Sequence, residues 1–257
     1  MISVQQQINS LREELNLHNH NYYVEDNATI SDYEFDVKLK ELETLENTHP
    51  EFYDANSPSQ RVGGTITKNF NTIIHQNRMY SLDNSYSKDD LLDWEKRLQK
   101  NLGTETIEYT CELKYDGASI NLSYENGNFI KAVTRGDGFQ GDEVTQNIRT
   151  IRSIPLKVSS SFMDNFEMRG EIILPLEGFQ KMNEVRLLNG EEVYRNPRNT
   201  ASGSLKLQDS SEVAKRPLDC LLYQVVTDER KYATHYDSLL AARKAGFKIP
   251  KTIILAS

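Results

Sequence analysis

The pattern of apolar and polar residues in the middle of the chain predicts three strands. Residues 107–113 alternate between more and less apolar side chains, a period of two that is typical of a β-strand. A second alternating run covers residues 120–124 and leads into the dipeptide Asn126-Gly127, which favours a hairpin turn. Residues 129–133 are the predicted returning strand. We therefore expect an antiparallel hairpin directly after the first strand.

The first 48 residues show helical periodicity instead. Ser3 and Ser31 each stand three residues before a glutamine or a glutamate, which is the capping-box pattern that opens a helix. Apolar residues follow both serines at helical spacing, and His49-Pro50 ends the second run. Two helices of this length bury little surface on their own, so we expect a small helical lobe that docks on a larger unit.

The remainder of the chain mixes helical and strand patterns, which predicts an α+β protein. Helices are expected at about residues 88–100, from 176 to Asn189-Gly190, and at 236–245; strands are expected at 166–174, 218–226 and from 252 onward. Residues 195–206 are interpreted as a substrate loop followed by a short helix. Residues 51 to about 75 are rich in Pro, Ser, Gly and Asn, including Gly63 and Gly64, and are interpreted as a linker that acts as a hinge.

Composition narrows the class of protein. Of the 257 residues, 37% are hydrophobic and 26% are charged, which fits a globular protein with a real core. No apolar run approaches the roughly 20 residues that span a bilayer, and the N-terminus lacks a signal-peptide pattern. The two cysteines, both in predicted strands, are too few for a zinc cluster or a disulfide framework. We expect a cytoplasmic protein without membrane contact.

The net charge bears on nucleic acid as a partner. A net charge of −8 argues mildly against a stand-alone nucleic-acid binder, although a local basic patch can suffice. The densest basic segment contains Arg195, Arg198, Lys206, Lys215 and Arg216. From charge alone, a solvated loop balanced by nearby acids explains this segment equally well.

The candidate chemistry lies just after the first of the three strands. Lys114 and Asp116 are followed by Gly117, which can adopt backbone angles that other residues cannot. A lysine between the carboxylates of Glu112 and Asp116 is either a salt-bridged strand end or a nucleophile, and the spacing leaves both interpretations open.

Four motifs in fixed order resemble a known family. Lys-x-Asp-Gly at residues 114–117 is followed by Thr-Arg-Gly-Asp-Gly at 134–138, Met-Arg-Gly-Glu at 168–171 and Asn-Pro-Arg-Asn at 196–199. Together these closely resemble the NAD-dependent DNA ligases of bacteria, and the resemblance extends over the whole chain. It implies a small helical lobe with a linker at residues 1–69. A nucleotidyltransferase (ATP-grasp-like) domain of antiparallel sheets flanked by helices would occupy residues 70–257, incomplete at its C-terminal end.

The N-terminal lobe combines aromatic rings with carboxylates. By itself this pattern is explained by helix packing and capping, but such a set also suits a flat cationic ring through stacking and cation–π attraction. The resemblance implies that this lobe binds the nicotinamide half of NAD. The implied residues are Tyr22, Tyr23, Asp32, Tyr33, Glu34, Phe35 and Asp36. The family usually has histidine where Tyr23 stands and tyrosine where Phe35 stands, so we expect stacking there more than specific hydrogen bonds.

The resemblance also implies residues for the adenylate half of NAD and for DNA. Those for the adenylate half are Ser81, Leu82, Glu112, Leu113, Arg135, Glu171 and Tyr223; those for DNA are Arg195, Arg198 and Lys206. Family members commonly have arginine where Lys206 stands. Lysine keeps the charge but lacks the bidentate fork of arginine, so we expect weaker contacts with nicked DNA.

The expected chemistry is covalent. Lys114 would attack the α-phosphate of NAD, form a lysine–AMP intermediate and release nicotinamide mononucleotide, the first step of sealing nicks in replication and repair. A lysine in water is almost wholly protonated at neutral pH, so the nucleophile needs desolvation or a nearby positive field, for example a phosphate-bound Mg2+. Asp116 would orient the lysine or the ribose.

The resemblance carries further expectations about what accompanies this chemistry. The sequence stops before the family's last lysine motif, its oligonucleotide-binding barrel and its zinc finger. We therefore expect a monomeric fragment without zinc that binds NAD and lacks the later steps on nicked duplex DNA. Two alternatives stay open at this point: an ATP-dependent covalent nucleotidyltransferase, and a catalytically silent NAD-binding module.

Overall fold

The structure, a computed structural model, describes residues 3–25, 27–61, 69–159, 161–229 and 231–256, with the side chain of Asp32 outside the description. The helices are α1 (Val4–Tyr23), α2 (Asp32–Thr48), α3 (Lys88–Leu102), α4 (Thr145–Arg149), α5 (Leu176–Leu188), α6 (Pro197–Leu205), α7 (Ser210–Ala214) and α8 (His235–Lys244). The strands are β1 (Thr72–Ile74), β2 (Tyr109–Cys111), β3 (Ala118–Glu125), β4 (Asn128–Thr134), β5 (Gln140–Asp142), β6 (Phe166–Ile173), β7 (Asp219–Val226) and β8 (Ile254–Ala256). This mixture of helices and antiparallel sheets confirms the α+β prediction. No helix in these ranges is long and apolar enough to span a bilayer.

Helices α1 and α2 pack together to form the small N-terminal lobe. Both predicted capping boxes are present, and at each helix start the serine and the residue three positions later exchange hydrogen bonds. Ile8, Leu15 and Leu42 are fully buried between the helices. These three residues form a core of their own, separate from the main core of the protein.

The segment after α2 is packed, so the prediction of a linker is wrong for residues 51–61. Two short 3-10 turns, Pro50–Phe52 and Pro58–Arg61, follow the helix. The carboxylate of Glu46 accepts hydrogen bonds from Arg12 at 2.7 Å, from the Ser57 hydroxyl at 2.7 Å and from Ser59. The serines suggested a solvated loop, but they serve here as buried donors to one carboxylate. Residues 62–68 of the predicted linker, with Gly63 and Gly64, lie outside the described residues, so the boundary at residue 69 stays a prediction. At the end of the predicted linker, residues 72–74 form strand β1, which the linker prediction missed.

Arg61 connects this segment by hydrogen bonds to the loop after α4. It is 8% exposed, and its guanidinium donates to the carbonyl oxygens of Ile151 at 3.1 Å and Ile154 at 2.8 Å. Burial lowers the pKa of Arg61 to about 10. The side chain therefore satisfies two backbone acceptors that water would otherwise have to reach.

Replacement of Arg61 by methionine is expected to destabilise the fold. The variant leaves the carbonyl of Ile154 without the Arg61 donor and that of Ile151 with only the backbone N–H of Ile154, and an unsatisfied buried group costs about 1–3 kcal/mol. Urea unfolding should show a clearly lower midpoint for Arg61→Met, whereas the same change at the exposed Arg97 should leave it in place. Equal midpoints for the two variants would show that Arg61 does not anchor the segment.

The main sheet is antiparallel, with the strand order β4-β3-β6-β7. The predicted hairpin joins β3 to β4 through Asn126 and Gly127, whose φ angles of 50° and 71° are those of a tight hairpin turn. Strand β6 lies between β3 and β7, and it pairs Glu171 with Ser119 on β3 and with Leu221 on β7. The residues on β6 are thereby brought beside the start of β3.

Aromatic rings fill one end of the main core. Tyr124 and Phe166 stack at 4.8 Å between ring centroids, and Phe247 contacts Tyr124 edge-on at 5.4 Å. Phe129 completes the group at 5.6 Å from Tyr124. These rings hold the hairpin and β6 together, and they fix the sheet that carries the candidate site.

Two smaller sheets complete the fold. Strand β1 pairs with β5, and β2 pairs with β8. The first predicted strand is shorter than expected: it covers Tyr109–Cys111 within the predicted residues 107–113. Lys114 therefore follows the strand in an extended connection to β3.

Candidate active site

Lys114 lies where two cavities adjoin. The connection from β2 to β3 carries it into the lining of a cavity of about 440 Å³ on one side and of about 590 Å³ on the other. Tyr115, Ser119, Arg135 and Glu171 line both cavities as well. A group held in either cavity can therefore reach the neighbourhood of the lysine.

The turn after Lys114 is packed closely against β6. The carboxylate of Glu171 accepts hydrogen bonds from the backbone N–H of Gly117 at 3.2 Å and from the Ser119 hydroxyl at 2.6 Å. A Cβ atom built on Gly117 would stand 2.1 Å from the carbonyl oxygen of Ile172, so no larger residue fits. The glycine is required because the β6 backbone lies against it, and this contact sets the position of the preceding lysine.

The 440 Å³ cavity, which we call the adenylate cavity, contains every residue predicted for the adenylate half of NAD. Its lining includes Ser81, Leu82, Glu112, Leu113, Arg135, Glu171 and Tyr223. Tyr223 is partly buried on β7, and burial raises the pKa of its phenol. The structure thus brings together residues that are more than 140 positions apart in sequence, and their role as nucleotide ligands stays a prediction.

Two residues of the adenylate cavity had no predicted role. Nε2 of His235, at the start of α8, lies 2.9 Å from Oε1 of Glu112. Arg169 is buried and donates to the backbone carbonyls of Asn77 at 2.8 Å and Arg78 at 3.0 Å. Arg169 belongs to the Met-Arg-Gly-Glu motif two residues before Glu171, and the strand period of two places both residues on the same face, although it assigned Arg169 no role. No sequence signal marks His235.

The 590 Å³ cavity, which we call the phosphate cavity, is lined by both signs of charge. Its cations besides Lys114 and Arg135 are Arg198 and Lys206, and its carboxylates include Asp116, Asp137 and Asp142. The backbone N–H groups of Gln140 and Phe139 donate to Asp137 and hold the pKa of that carboxyl below its usual range. Of the three residues predicted for DNA, Arg198 and Lys206 line the phosphate cavity. Arg195 is exposed and lies in the lining of neither cavity.

A third cavity, of about 300 Å³, lies in the N-terminal lobe. Tyr22, Tyr23, Phe35 and Asp36 line it, as predicted for the nicotinamide half. Two other predicted residues do not: Tyr33 is 77% exposed, and Glu34 caps α2. Hydrogen bonds from the Ser31 backbone and hydroxyl hold the pKa of Glu34 below its usual range, because they favour the charged carboxylate. The side chain of Asp32 lies outside the description.

Arg152 also lines the lobe cavity, although it does not belong to the lobe and follows helix α4. Its guanidinium donates to the Tyr23 hydroxyl at 3.2 Å and lies 5.7 Å from the centre of the Tyr23 ring and 5.9 Å from that of Phe35. Lys248 fixes the same region by donating to the Tyr23 carbonyl at 2.7 Å. Sequence reasoning missed both residues, which are more than 120 positions from Tyr23.

Lys114 precedes an Asp-Gly turn and lines one cavity together with a carboxylate from β6 and an aromatic ring from β7, the arrangement expected of a covalent nucleotidyltransferase. The chain belongs to the family of NAD-dependent DNA ligase adenylation domains, whose sequence model matches residues 67–257. A second family model, described as the DNA ligase-like, N-terminal NAD+-binding domain, matches residues 1–63. The resemblance inferred from the four motifs is confirmed.

Curated relatives support the same assignment. The chain is 66% identical over 249 residues to a protein named DNA ligase in Flavobacterium johnsoniae. The matched region covers 97% of this chain and 37% of that relative. The chain is 64% identical over 255 residues to the DNA ligase of Flavobacterium psychrophilum (99% and 38%). It is 46% identical over 248 residues to that of Mycoplasma capricolum (96% and 37%). The chain thus spans 37% to 38% of the length of these relatives.

Proposed function

We propose that this chain performs the adenylation step of an NAD-dependent DNA ligase. The Nζ atom of Lys114 attacks the α-phosphorus of the adenylate half of NAD. A nitrogen–phosphorus bond forms while the bond from that phosphorus to the bridging oxygen breaks, nicotinamide mononucleotide leaves with the electron pair, and the amine gives up one proton to water. The observation that carries the proposal is the position of Lys114 between the adenylate cavity and the phosphate cavity.

Other residues around Lys114 bind the adenine, the ribose and the phosphates of NAD. Tyr223 supplies a ring face for adenine, and Glu171 accepts hydrogen bonds from the ribose. Arg135, which lines both cavities, supplies N–H donors for the phosphates. Asp116 orients the site and does not take the lysine proton, because its carboxylate is paired with the guanidinium of Arg198 at 3.0 Å.

We propose that Mg2+ enters with the phosphates of NAD. Within the described ranges, no group of three or more His, Cys, Asp or Glu residues is arranged to hold a metal ion. A phosphate-bound ion would offset the charge that develops on the leaving oxygens, and it would favour the neutral amine of Lys114. The chain itself provides no zinc site in this proposal.

The lobe cavity suits the nicotinamide half of the substrate. Tyr22, Tyr23 and Phe35 offer rings for a flat cation, and Asp36 offers a carboxylate. Arg152 brings a guanidinium to the same cavity, which suits the phosphate of nicotinamide mononucleotide. The set matches the two opposite charges of that molecule.

Nicked duplex DNA is the proposed partner in the later steps of ligation. Arg198 and Lys206 line the phosphate cavity, where a DNA 5′-phosphate can approach the adenylated lysine. Arg195 lies exposed just before α6 and extends the same basic segment.

We propose that the protein acts as a cytoplasmic monomer.

The experiment that tests the adenylation step follows both products at once. The purified chain is incubated with Mg2+ and NAD labelled in its adenylate half. We expect protein-bound label and released nicotinamide mononucleotide in equal amounts. Binding of NAD without either product would contradict the proposal and would favour a module that only binds the dinucleotide.

Substitution of Tyr223 tests the adenine contact. Tyr223→Ala should weaken NAD binding by about five- to 150-fold, since loss of a stacking ring costs about 1–3 kcal/mol per base. Tyr223→Phe keeps the ring and should bind NAD nearly as wild type does. Isothermal titration of the two variants measures the difference, and equal affinities for alanine and phenylalanine would remove Tyr223 from the adenine site.

A further inference from the structure

Both cations that line the phosphate cavity from the α6 segment are already paired with carboxylates. Nη1 of Arg198 lies 3.0 Å from Oδ1 of Asp116, and Nζ of Lys206 lies 2.7 Å from Oδ2 of Asp142. Asp116 precedes β3, and Asp142 ends β5. The two ends of the α6 segment are thus tied across the phosphate cavity by two separate ion pairs.

The two cations stand at opposite ends of α6. Arg198 stands in the first turn of α6, and Lys206 is its C-terminal cap, eight positions later. At a rise of about 1.5 Å per residue, the two positions are about 12 Å apart along the helix. Two cations at this separation can contact different phosphates of one DNA strand.

The Asp142–Lys206 pair is built so that a phosphate can replace the carboxylate. The Lys206 side chain is 54% exposed, so solvent and ligands reach its ammonium. The Asp142 side chain is 31% exposed, and the backbone N–H of Asp142 donates to the Thr134 hydroxyl at 3.0 Å, which fixes this residue on β5. Exposed ion pairs contribute little stability, so a DNA phosphodiester, which carries the same single negative charge as a carboxylate, can compete with Asp142 for the ammonium.

The carboxylate of Asp142 already offsets the single positive charge of Lys206. Its ammonium is a compact point charge without the planar fork with which an arginine grips two anions side by side. A phosphate that contacts Lys206 must share its three N–H donors with Asp142 or displace that carboxylate, and in both cases the carboxylate faces the phosphate with a charge of the same sign. The net charge of −8 on the chain adds to this repulsion.

We propose that Asp142 is a built-in competitor of the DNA phosphate, which holds Lys206 in the DNA-free protein and thereby sets the affinity for DNA. This inference rests on the proposed function, since it takes nicked DNA as the ligand of the phosphate cavity. Asp142 is a positioning residue in this scheme: it acts on DNA through Lys206, and it makes no contact with the reacting atoms.

The test is a double-mutant cycle on the whole chain without NAD. Fluorescence anisotropy reports the affinity for a labelled duplex with one 5′-phosphorylated nick, at low ionic strength, where exposed charges are least screened. The proteins are wild type, Asp142→Asn, Lys206→Met and the double variant. Asp137→Asn is the matched control, because Asp137 lines the same cavity and its Oδ1 accepts backbone hydrogen bonds that an asparagine oxygen also accepts.

We expect Asp142→Asn to bind the duplex about two- to fivefold more tightly than wild type, the range that an exposed ion pair contributes. The gain should vanish in the Lys206→Met background, and Asp137→Asn should gain less. A gain that persists without Lys206, a gain no larger than that of Asp137→Asn, or no detectable binding by Asp142→Asn would each overturn the inference.

The same proteins separate this inference from the proposed function. Adenylation of wild type by NAD, together with an unchanged DNA affinity of Asp142→Asn, overturns the inference about Asp142 alone. Failure of wild type to become adenylated overturns the proposed function, whatever the DNA affinities show.

Discussion

Replacement of Lys114 by alanine abolishes covalent adenylation in our account. The lysine amine is the only group that the mechanism allows to bond to the α-phosphorus, and no neighbouring oxygen or nitrogen is assigned to replace it. Lys114→Arg should fail equally, because a guanidinium keeps the charge but stays protonated and is a poor nucleophile. Incorporation of labelled adenylate over hours measures the loss.

The control for this prediction is an exposed lysine away from the cavities. Lys96 lies on α3 with its side chain 73% exposed, so Lys96→Ala should incorporate adenylate at the wild-type rate. The Lys114→Ala variant should still unfold at the wild-type urea midpoint, because Lys114 is exposed. Adenylate on the Lys114→Ala protein would mean that a different residue is the nucleophile.

Replacement of Gly117 by alanine should both destabilise the protein and stop adenylation. The added Cβ would stand 2.1 Å from the Ile172 carbonyl oxygen and 3.0 Å from Cγ of Glu171. Because Ile172 lies in the interior strand β6, the relief of this clash must move the turn that carries Lys114. Overpacking of this kind costs about 1–3 kcal/mol, and urea unfolding together with adenylate incorporation measures both effects.

Gly203 provides the matched control for Gly117. It lies within α6, and a Cβ there would meet no atom within 4 Å. Because alanine is favoured over glycine inside a helix by about 1 kcal/mol, Gly203→Ala should keep or slightly raise the unfolding midpoint. A Gly117→Ala protein with wild-type stability and a wild-type rate of adenylation would show that the close contact with β6 is not required.

Local rules predicted much of the fold. The capping boxes at Ser3 and Ser31 form because their hydrogen bonds join residues three positions apart. The hairpin turn is equally local: Asn126 and Gly127 adopt the positive φ angles that their types tolerate. The residues predicted for the adenylate half of NAD came from motif resemblance, and the structure gathers all of them around one cavity.

Contacts between distant residues escaped prediction. The pairing of His235 with Glu112 spans 123 positions, and the contact of Arg152 with Tyr23 spans 129. Hydrogen bonds to the carboxylate of Glu46 hold Ser57 and Ser59 in a packed segment, although the composition predicted a linker there. Each of these depends on which surfaces meet in three dimensions, and neither periodicity nor turn chemistry contains that information.

The central claim is that NAD, and not ATP, places one adenylate on this chain, and the intact mass of the purified protein tests it most directly. After incubation with NAD and Mg2+, we predict a gain of one adenylyl group, which added nicotinamide mononucleotide reverses and which ATP does not produce. An unchanged mass with NAD, or the same gain with ATP, would contradict the account.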